Sequence, residues 1–374
     1  MTTHQYHKVL PTSNNSNGFT SHDSIDFLIN ASPDGALVPN SIMLEYSLEV
    51  YKTGTTVVTS AVKDEICLSS ASALFDSFRV ETESQGILEN LLNYNRYCYM
   101  VNKMTKSKND LFNNVDACEG NYPFRSNEFI NCQQKCTQTT GTSINLNSHF
   151  VIKPKIAFNR SVGGNYAFSD GYIRLSTTLA RVEKALYGRY SSTTDMSYMI
   201  KKVAVRYETI DISTASKQPM MAFSYKSIKA SVDSQNNMIQ AIVPSKSCSG
   251  LMMSFISQTD ENSFRENSNE MQVIHGINGL RFLYNSNLGE RVAYNITDLR
   301  EMIQQGADVL SASGDGGQLT RQSMSTNNSF VLGIDFKNMI DLSNVDTQIN
   351  IQCDSSFSGE VHNAYLYFLE VLEL

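Results

Sequence analysis

The sequence predicts a mainly β chain made of two antiparallel sandwiches in tandem. Three observations predict it: many short apolar segments of period two bounded by turn residues, a few stretches where the period changes to three and four, and a C-terminal tail that repeats an earlier segment. The repeat runs from Phe150 to Ser213 and again from Phe330 to Leu374. Phe150-Val-Ile-Lys-Pro-Lys-Ile-Ala-Phe158 lies over Phe330-Val-Leu-Gly-Ile-Asp-Phe336 with one gap. Tyr172–Ser176 then lies over Gln348–Gln352, and the closing run Met199–Ile212 over Ala364–Leu374. That separation is too long for a solenoid period, so it reads as two copies of one domain.

Taken in order, residues 1–22 carry no apolar period and are expected to form a flexible arm. Ser24–Ile29 is a short apolar run, and Ser32-Pro-Asp-Gly35 has the chemistry of a turn. Leu44, Tyr46, Leu48 and Val50 then alternate with Glu45, Ser47, Glu49 and Tyr51, the clearest strand in the chain. Ala73–Thr82 reads as a further strand. Ile87, Leu91, Tyr94, Cys98 and Val101 fall at spacings of three and four, which predicts an amphipathic helix ending near Lys103. Residues 106–147 are rich in Asn, Gln, Thr and Gly and are expected as a long surface excursion.

Strands are expected again at Phe150–Phe158 and Tyr172–Thr178, with a turn at Gly163-Gly164-Asn165. Leu179, Val182, Ala185 and Leu186 suggest two helical turns capped by Gly188, and Ile200–Ile212 closes the first half as a strand. The small, polar run from Ser213 to Pro219 marks a boundary. The expected domains are therefore an arm over 1–22, a first sandwich over 23–213, a linker over 214–219 and a second sandwich over 220–374. In the second, Ala222–Val232, Met238–Val243, Leu251–Ile256 and Leu280–Tyr284 are strand-like. Leu299, Met302, Ile303, Gly306, Val309 and Leu310 share a helical face, with Asn295 or Thr297 as the N-cap and Asp298 in the first turn. Strands with helices only as insertions point to eight-stranded jelly-roll sandwiches rather than alternating β-α units.

Composition narrows the function classes. With 374 residues, 41% hydrophobic and 18% charged, the chain can build two cores, and its surface must be largely Ser, Thr, Asn and Gln. A net charge of -7 argues against a chain that neutralises phosphates, so no sequence-specific nucleic-acid partner is expected. No apolar run approaches the ~20 residues of a membrane span. Neither a secretory signal nor a transit peptide is visible at the N-terminus, and seven scattered Cys fit reduced thiols better than a disulfide framework.

No constellation carries chemistry convincingly. Cys132, Cys136 and His149 offer three zinc donors, but no fourth ligand follows at a finger-like interval. Ser313-Gly-Asp-Gly-Gly317 lacks both the acidic series of a calcium loop and the Gly-Lys-Ser/Thr of a phosphate loop. Glu81 and Glu83 would share a strand face, yet a solvated edge explains them equally well. Tyr94, Arg96, Tyr97, Tyr99 and Lys103 interleave rings and bases as a single-strand platform would, but their helical period divides them between an apolar and a solvated face. Lys201-Lys202 is only a dipeptide. No catalytic residue, cofactor or metal ligand is assigned, and the chain is not expected to be an enzyme.

The arrangement resembles the double-jelly-roll major capsid proteins of tailless icosahedral DNA viruses. The stretches most like that family are Val38-Pro-Asn-Ser-Ile-Met-Leu-Glu45, Phe75-Asp-Ser-Phe-Arg-Val80, Val182-Glu-Lys-Ala-Leu-Tyr-Gly188 and Phe330–Phe336. The resemblance implies two facing four-stranded sheets per domain and a homotrimer that forms a pseudo-hexameric tile of an icosahedral shell. It further implies towers at 106–147 and Thr259–Gly279, penton and minor capsid proteins as partners, and an arm reaching beneath the tile toward neighbours or an internal membrane. Residence would be the virion, after synthesis in the host cytoplasm or nucleus. The arm has only Lys8 as a firm positive charge besides His4, His7 and His22, so a polybasic anchor is not supported. The alternatives are a carbohydrate-binding or host-attachment protein, weakened by the absence of Trp, and a minor capsid or spike protein.

Overall fold

The computed structural model describes residues 4–13, 15, 17–52, 66–68, 70–105, 143–144, 149–188, 196–213, 218–263, 267–286, 288–313, 330–343, 345–354 and 359–374. The first half contributes β1 (His4–Val9), β2 (Ser24–Ile29), β3 (Met43–Lys52), β4 (Phe75–Thr82), β5 (Gly86–Leu92), α1 (Tyr94–Thr105), β6 (His149–Ile152), β7 (Ile173–Leu179) and β8 (Met196–Asp211). The second contributes β9 (Met220–Val232), β10 (Met238–Ile242), β11 (Cys248–Ser257), β12 (Ile277–Asn285), β13 (Arg291–Ile296), α2 (Leu299–Ala312), β14 (Val331–Ile340), β15 (Asp346–Cys353) and β16 (His362–Glu373).

Period-two patterning explains why these residues form sheets. In β7, Ile173, Leu175, Thr177 and Leu179 are buried while Arg174, Ser176 and Thr178 lie on the other face. The first half pairs β1-β8-β3-β6 and β2-β7-β4-β5, all antiparallel. The second pairs β9-β16-β11-β14 and β10-β15-β12-β13, again antiparallel. Adding eight to each label of the first half yields the second, with a helix at the same place in each. The segments that repeat in sequence are thus topological equivalents: β6 with β14, β7 with β15, and β8 with β16.

One apolar core fills the second sandwich, with Phe255, Phe282, Phe336 and Phe368 among its members. The other fills the first sandwich around Phe27, Tyr46, Phe78 and Leu175, then continues through α1 to Tyr225, Met252, Tyr365 and Tyr367 of the second half. The sheets are joined as well. Strand β9 runs parallel to β5 at Lys226 and Asn90, fusing the sheet β14-β11-β16-β9 to β5-β4-β7-β2.

Several expectations need correction. Residues 4–9 are not a free arm: β1 pairs along β8 from His4 opposite Ile210 to Val9 opposite Val205, and Phe19–Thr20 continues that line against Met199 and Ile200. The helix expected from Ile87 starts at Tyr94, since Gly86–Leu92 is strand. A spacing of four is also a multiple of two, so Ile87 and Leu91 fit either period, and Asn93, with φ 53, makes the break. Strand β6 stops at Ile152, two residues before Pro154, and Ala157–Arg160 is a 3-10 turn. Gly188 ends a short strand, Leu186–Gly188, paired with Ile66–Leu68, and only one turn, Val182–Ala185, is helical. Asp298 itself caps α2, its carboxylate accepting from the Arg300 amide at 2.8 Å, in place of Asn295 or Thr297. Strand β13 was not expected, although Val292, Tyr294 and Ile296 share its inward face.

Alternation along β8 also changes phase. Tyr198 and Ile200 face inward before the bulge, Val203, Val205 and Tyr207 after it, because Lys202 takes φ 52 as the extra residue. Of the two expected towers, 106–147 lies outside the described residues except for Ser143–Ile144, which pairs with Val50 and Tyr51. Thr259–Gly279 is no exposed tower, because Asn267–Met271 within it is buried. The 214–219 linker falls mostly outside the described residues.

Candidate functional site

The most elaborated polar chemistry in the described residues lies where the two halves meet, around α1. This helix is apolar or aromatic at Tyr94, Tyr97, Cys98, Tyr99, Met100, Val101 and Met104, all buried, and its polar residues Asn95, Arg96, Asn102 and Thr105 are buried as well. The rings are used for packing. Tyr97 lies 4.9 Å from the Tyr225 ring and 5.4 Å from that of Tyr367, while the Tyr94 hydroxyl accepts from the Lys155 amide at 2.7 Å.

Arg96, only 2% exposed, projects from the first turn of α1 into the second half. Its guanidinium donates to the carbonyls of Phe255 at 2.7 Å, Glu270 at 2.8 Å and Ser268 at 3.0 Å, and to the Ser254 hydroxyl at 3.3 Å. It also lies 4.5 Å from the centre of the Tyr365 ring. A planar fork can serve several carbonyls at once, which is why an arginine and not a lysine suits this place. Burial pulls its pKa below the usual guanidinium value, with Tyr365, Tyr367 and Glu261 opposing the shift.

A second arginine works from the other side. Arg160 forms a fully buried ion pair with Glu89 and donates to the Phe223 carbonyl at 2.9 Å and the Tyr97 hydroxyl at 3.0 Å. Glu89 also accepts from the amides of Ala157 at 2.8 Å and Tyr225 at 3.0 Å. Burial pushes the Glu89 carboxyl up, against Arg160 and these amides. Next to this cluster, Glu261 accepts from Lys229 at 2.8 and 2.9 Å, and from Asn363 and the Tyr365 hydroxyl. Burial raises its pKa, but Lys229 and Tyr365 pull harder and hold it below the ordinary value. The arrangement ties backbone from both halves into one polar network. Its buried charges face protein groups, so its chemical capacity is structural: it sets and holds the orientation of two sandwiches.

The residues singled out in the sequence are placed as follows. Cys132 and Cys136 lie outside the described residues, and His149 is an exposed residue at the start of β6. Ser313 is buried and donates to the Leu310 carbonyl at 2.7 Å, closing α2, and Gly314–Gly317 are not described. Glu81 pairs with Arg79 at 3.0 Å beside a shallow polar depression lined by Asp26, Asn90 and Arg174, while Glu83 lies beyond the end of β4. Lys201 pairs with Glu49 at 2.7 Å, and Lys202 is the bulge residue. Tyr94, Arg96, Tyr97 and Tyr99 come together, but in the joint and not on an open platform; of Lys103 only the backbone is described. No group of three His, Cys, Asp or Glu suited to a metal stands among the described residues. Glu89, Arg160 and Glu261 carried no signal in the sequence, because the partners that define them, Tyr225 and Arg160 for Glu89 and Lys229 for Glu261, come from distant segments.

No family profile matches the sequence, and no curated protein sequence matches it. Solved structures do match. The chain is similar to the Faustovirus major capsid protein, at 8% identity and a TM-score of 0.61, over 100% of this chain and 90% of that one. It is similar to PBCV-1 VP54, fitted into a reconstruction of the virophage Sputnik, at 12% identity and a TM-score of 0.58, over 100% and 95% of the two chains. A chain of the Sputnik virophage matches at 8% identity and a TM-score of 0.58, over 99% and 85%. The shared order of strands and these matches give the fold as a double jelly roll of the kind found in major capsid proteins of tailless icosahedral viruses.

Proposed function

We propose that the chain is a structural protein of a viral capsid, which assembles as a homotrimer into pseudo-hexameric tiles of an icosahedral shell. The observation that carries this reading is the match in fold over the whole chain to the Faustovirus major capsid protein. The joint adds physical support, since a network of buried arginines devoted to holding two sandwiches in one orientation suits a building block. Duplication supplies the logic: three copies of a doubled domain present six similar sandwiches, while the two halves remain free to differ at their contacts. The partners under this reading are further copies, with penton and minor proteins at the shell's special positions. Contact with an internal membrane through residues 4–9 is not part of it, because β1 is committed to β8.

The test is the molar mass of the purified chain by size-exclusion chromatography with light scattering over a range of concentrations, followed by imaging of the particles. A mass of three chains and a six-lobed outline are expected. A monomer at every concentration would overturn the reading.

A further inference from the structure

The joint inside the chain has a vacant counterpart. Within the chain, the outer edge of β5 is closed by β9, and the helix that follows β5 is buried from its first turn, Tyr94 to Tyr97. The equivalent of β5 in the second half is β13, and the equivalent of β9 in the first half is β1. Strand β13 pairs with β12 and β1 with β8, and neither has a strand on its other side among the described residues. The helix following β13 has its first turn uncovered: Leu299 is 37% exposed, and Arg300 and Glu301 are exposed, where Tyr94, Asn95 and Arg96 of α1 are buried. On β1, Tyr6 is 81% exposed.

Resting on the trimer reading, we infer that the β13 edge and first turn of α2 in one copy dock against the β1 edge and outward face of β8 and β3 in the next. This repeats between chains the joint that β5, α1 and β9 form within one. The contact is head to tail, so it either closes into a ring or runs on as a filament, and three copies close it when the turn within the chain and the turn at the junction together make one third of a circle. Main-chain pairing at the two open edges accounts for the recognition, and it removes the aggregation hazard of leaving them bare.

The two versions of the joint differ in chemistry. In the chain, the face of β11 and β16 that receives α1 is closed off from solvent, with Met252, Ile256, Tyr365 and Tyr367 buried around Arg96. Its counterpart on β3 and β8 is charged: Glu45 is bridged by Lys8 and Arg206, and Glu49 by Lys201. Opposite it, α2 offers the exposed Arg300, Glu301, Gln304 and Asp308. An exposed polar contact of this kind weakens as salt rises, whereas the buried joint is screened much less.

The experiment compares Ala293→Asp/Leu299→Asp on the β13 side, Tyr6→Asp on the β1 side, and Met339→Asp on β14 as a control, all at exposed positions. Molar mass is read against concentration and salt, and backbone hydrogen exchange against the oligomeric state. We expect the trimer, once formed by the unaltered chain, to dissociate at least tenfold more readily in both edge variants and at high salt, while the control behaves as the parent. Amides of 4–9 and 291–301 should gain protection on trimer formation. A trimer that persists unchanged in both edge variants overturns this contact while leaving the trimer reading intact. A parent chain that never trimerises overturns both.

Discussion

Replacing Arg96 by Ala should uncouple the two halves. The guanidinium serves the carbonyls of Phe255, Ser268 and Glu270, and that of Phe255 also accepts from the Gln272 amide at 2.9 Å. Truncation therefore removes three hydrogen bonds from a charged donor to buried carbonyls, at about 1.5–3 kcal/mol each. It also removes the contact with the Tyr365 ring, worth about 2 kcal/mol when desolvated. Against this stands the relief of no longer burying a charge, so a net loss of about 3–5 kcal/mol is expected, the range for breaking a buried charged interaction from one side. Arg96→Lys should fall between, because an ammonium keeps the charge but cannot span the same set of acceptors. The assay is urea unfolding followed by circular dichroism and by tyrosine fluorescence, which is usable without interference because the chain has no Trp. Since the lost bonds cross from one half to the other, the variant should unfold in two steps where the parent unfolds in one. A single transition displaced by less than about 1 kcal/mol would refute the view that Arg96 holds the joint.

Other expectations follow from local geometry. In Gly333→Ala, the new Cβ would stand 2.3 Å from the Gly306 Cα and 2.8 Å from the Leu251 carbonyl, forcing α2 off its sheet at a cost of about 1–3 kcal/mol in a thermal melt. Gly359→Ala, in open space, should leave the melting temperature unchanged. Glu261 has a folded pKa held below the ordinary carboxylate value, so its contribution is complete above the unfolded pKa and is lost as pH falls through the folded one. Unfolding measured from about pH 6 to about pH 3 should thus show a shallower acid loss in Glu261→Gln than in the parent, and identical slopes would contradict this. Burial pushes the Cys248 thiol up to about 12, so iodoacetamide followed by mass spectrometry should label it only in denaturant.

Much of the fold was legible because duplication doubled each signal. The Phe150 and Phe330 segments, the strand pairs after them and the placement of one helix per half all fell on equivalent strands. What was missed had physical reasons. Strand β1 owes its place to pairing along β8 and not to an apolar face, as His4, Gln5 and Tyr6 are all exposed, so periodicity had nothing to detect. Strand β13 was missed for another reason: Val292, Tyr294 and Ile296 do alternate with the exposed Arg291, Ala293 and Asn295, but the run is only six residues long and leads straight into the helical period of α2. The role of Arg96 was hidden. Asn95, Arg96, Asn102 and Lys103 fall on one side of the helical period and read as a solvated stripe, yet in the fold Arg96 is enclosed, and an enclosed arginine must find acceptors. Which carbonyls it finds depends on Phe255 and Glu270, more than 150 residues away in sequence, and no local pattern reports them.

The strand that fuses the two sandwiches also decides what the molecule does on dilution. A contact within one polypeptide meets its partner at a fixed effective concentration, so the β5–β9 seam stays shut however dilute the solution. Contacts between molecules do not share that protection. A shell of this chain would therefore come apart into double units and never into single sandwiches. Any bending needed to close a curved surface would be taken up between molecules, leaving the angle inside each one as it was set when the chain folded.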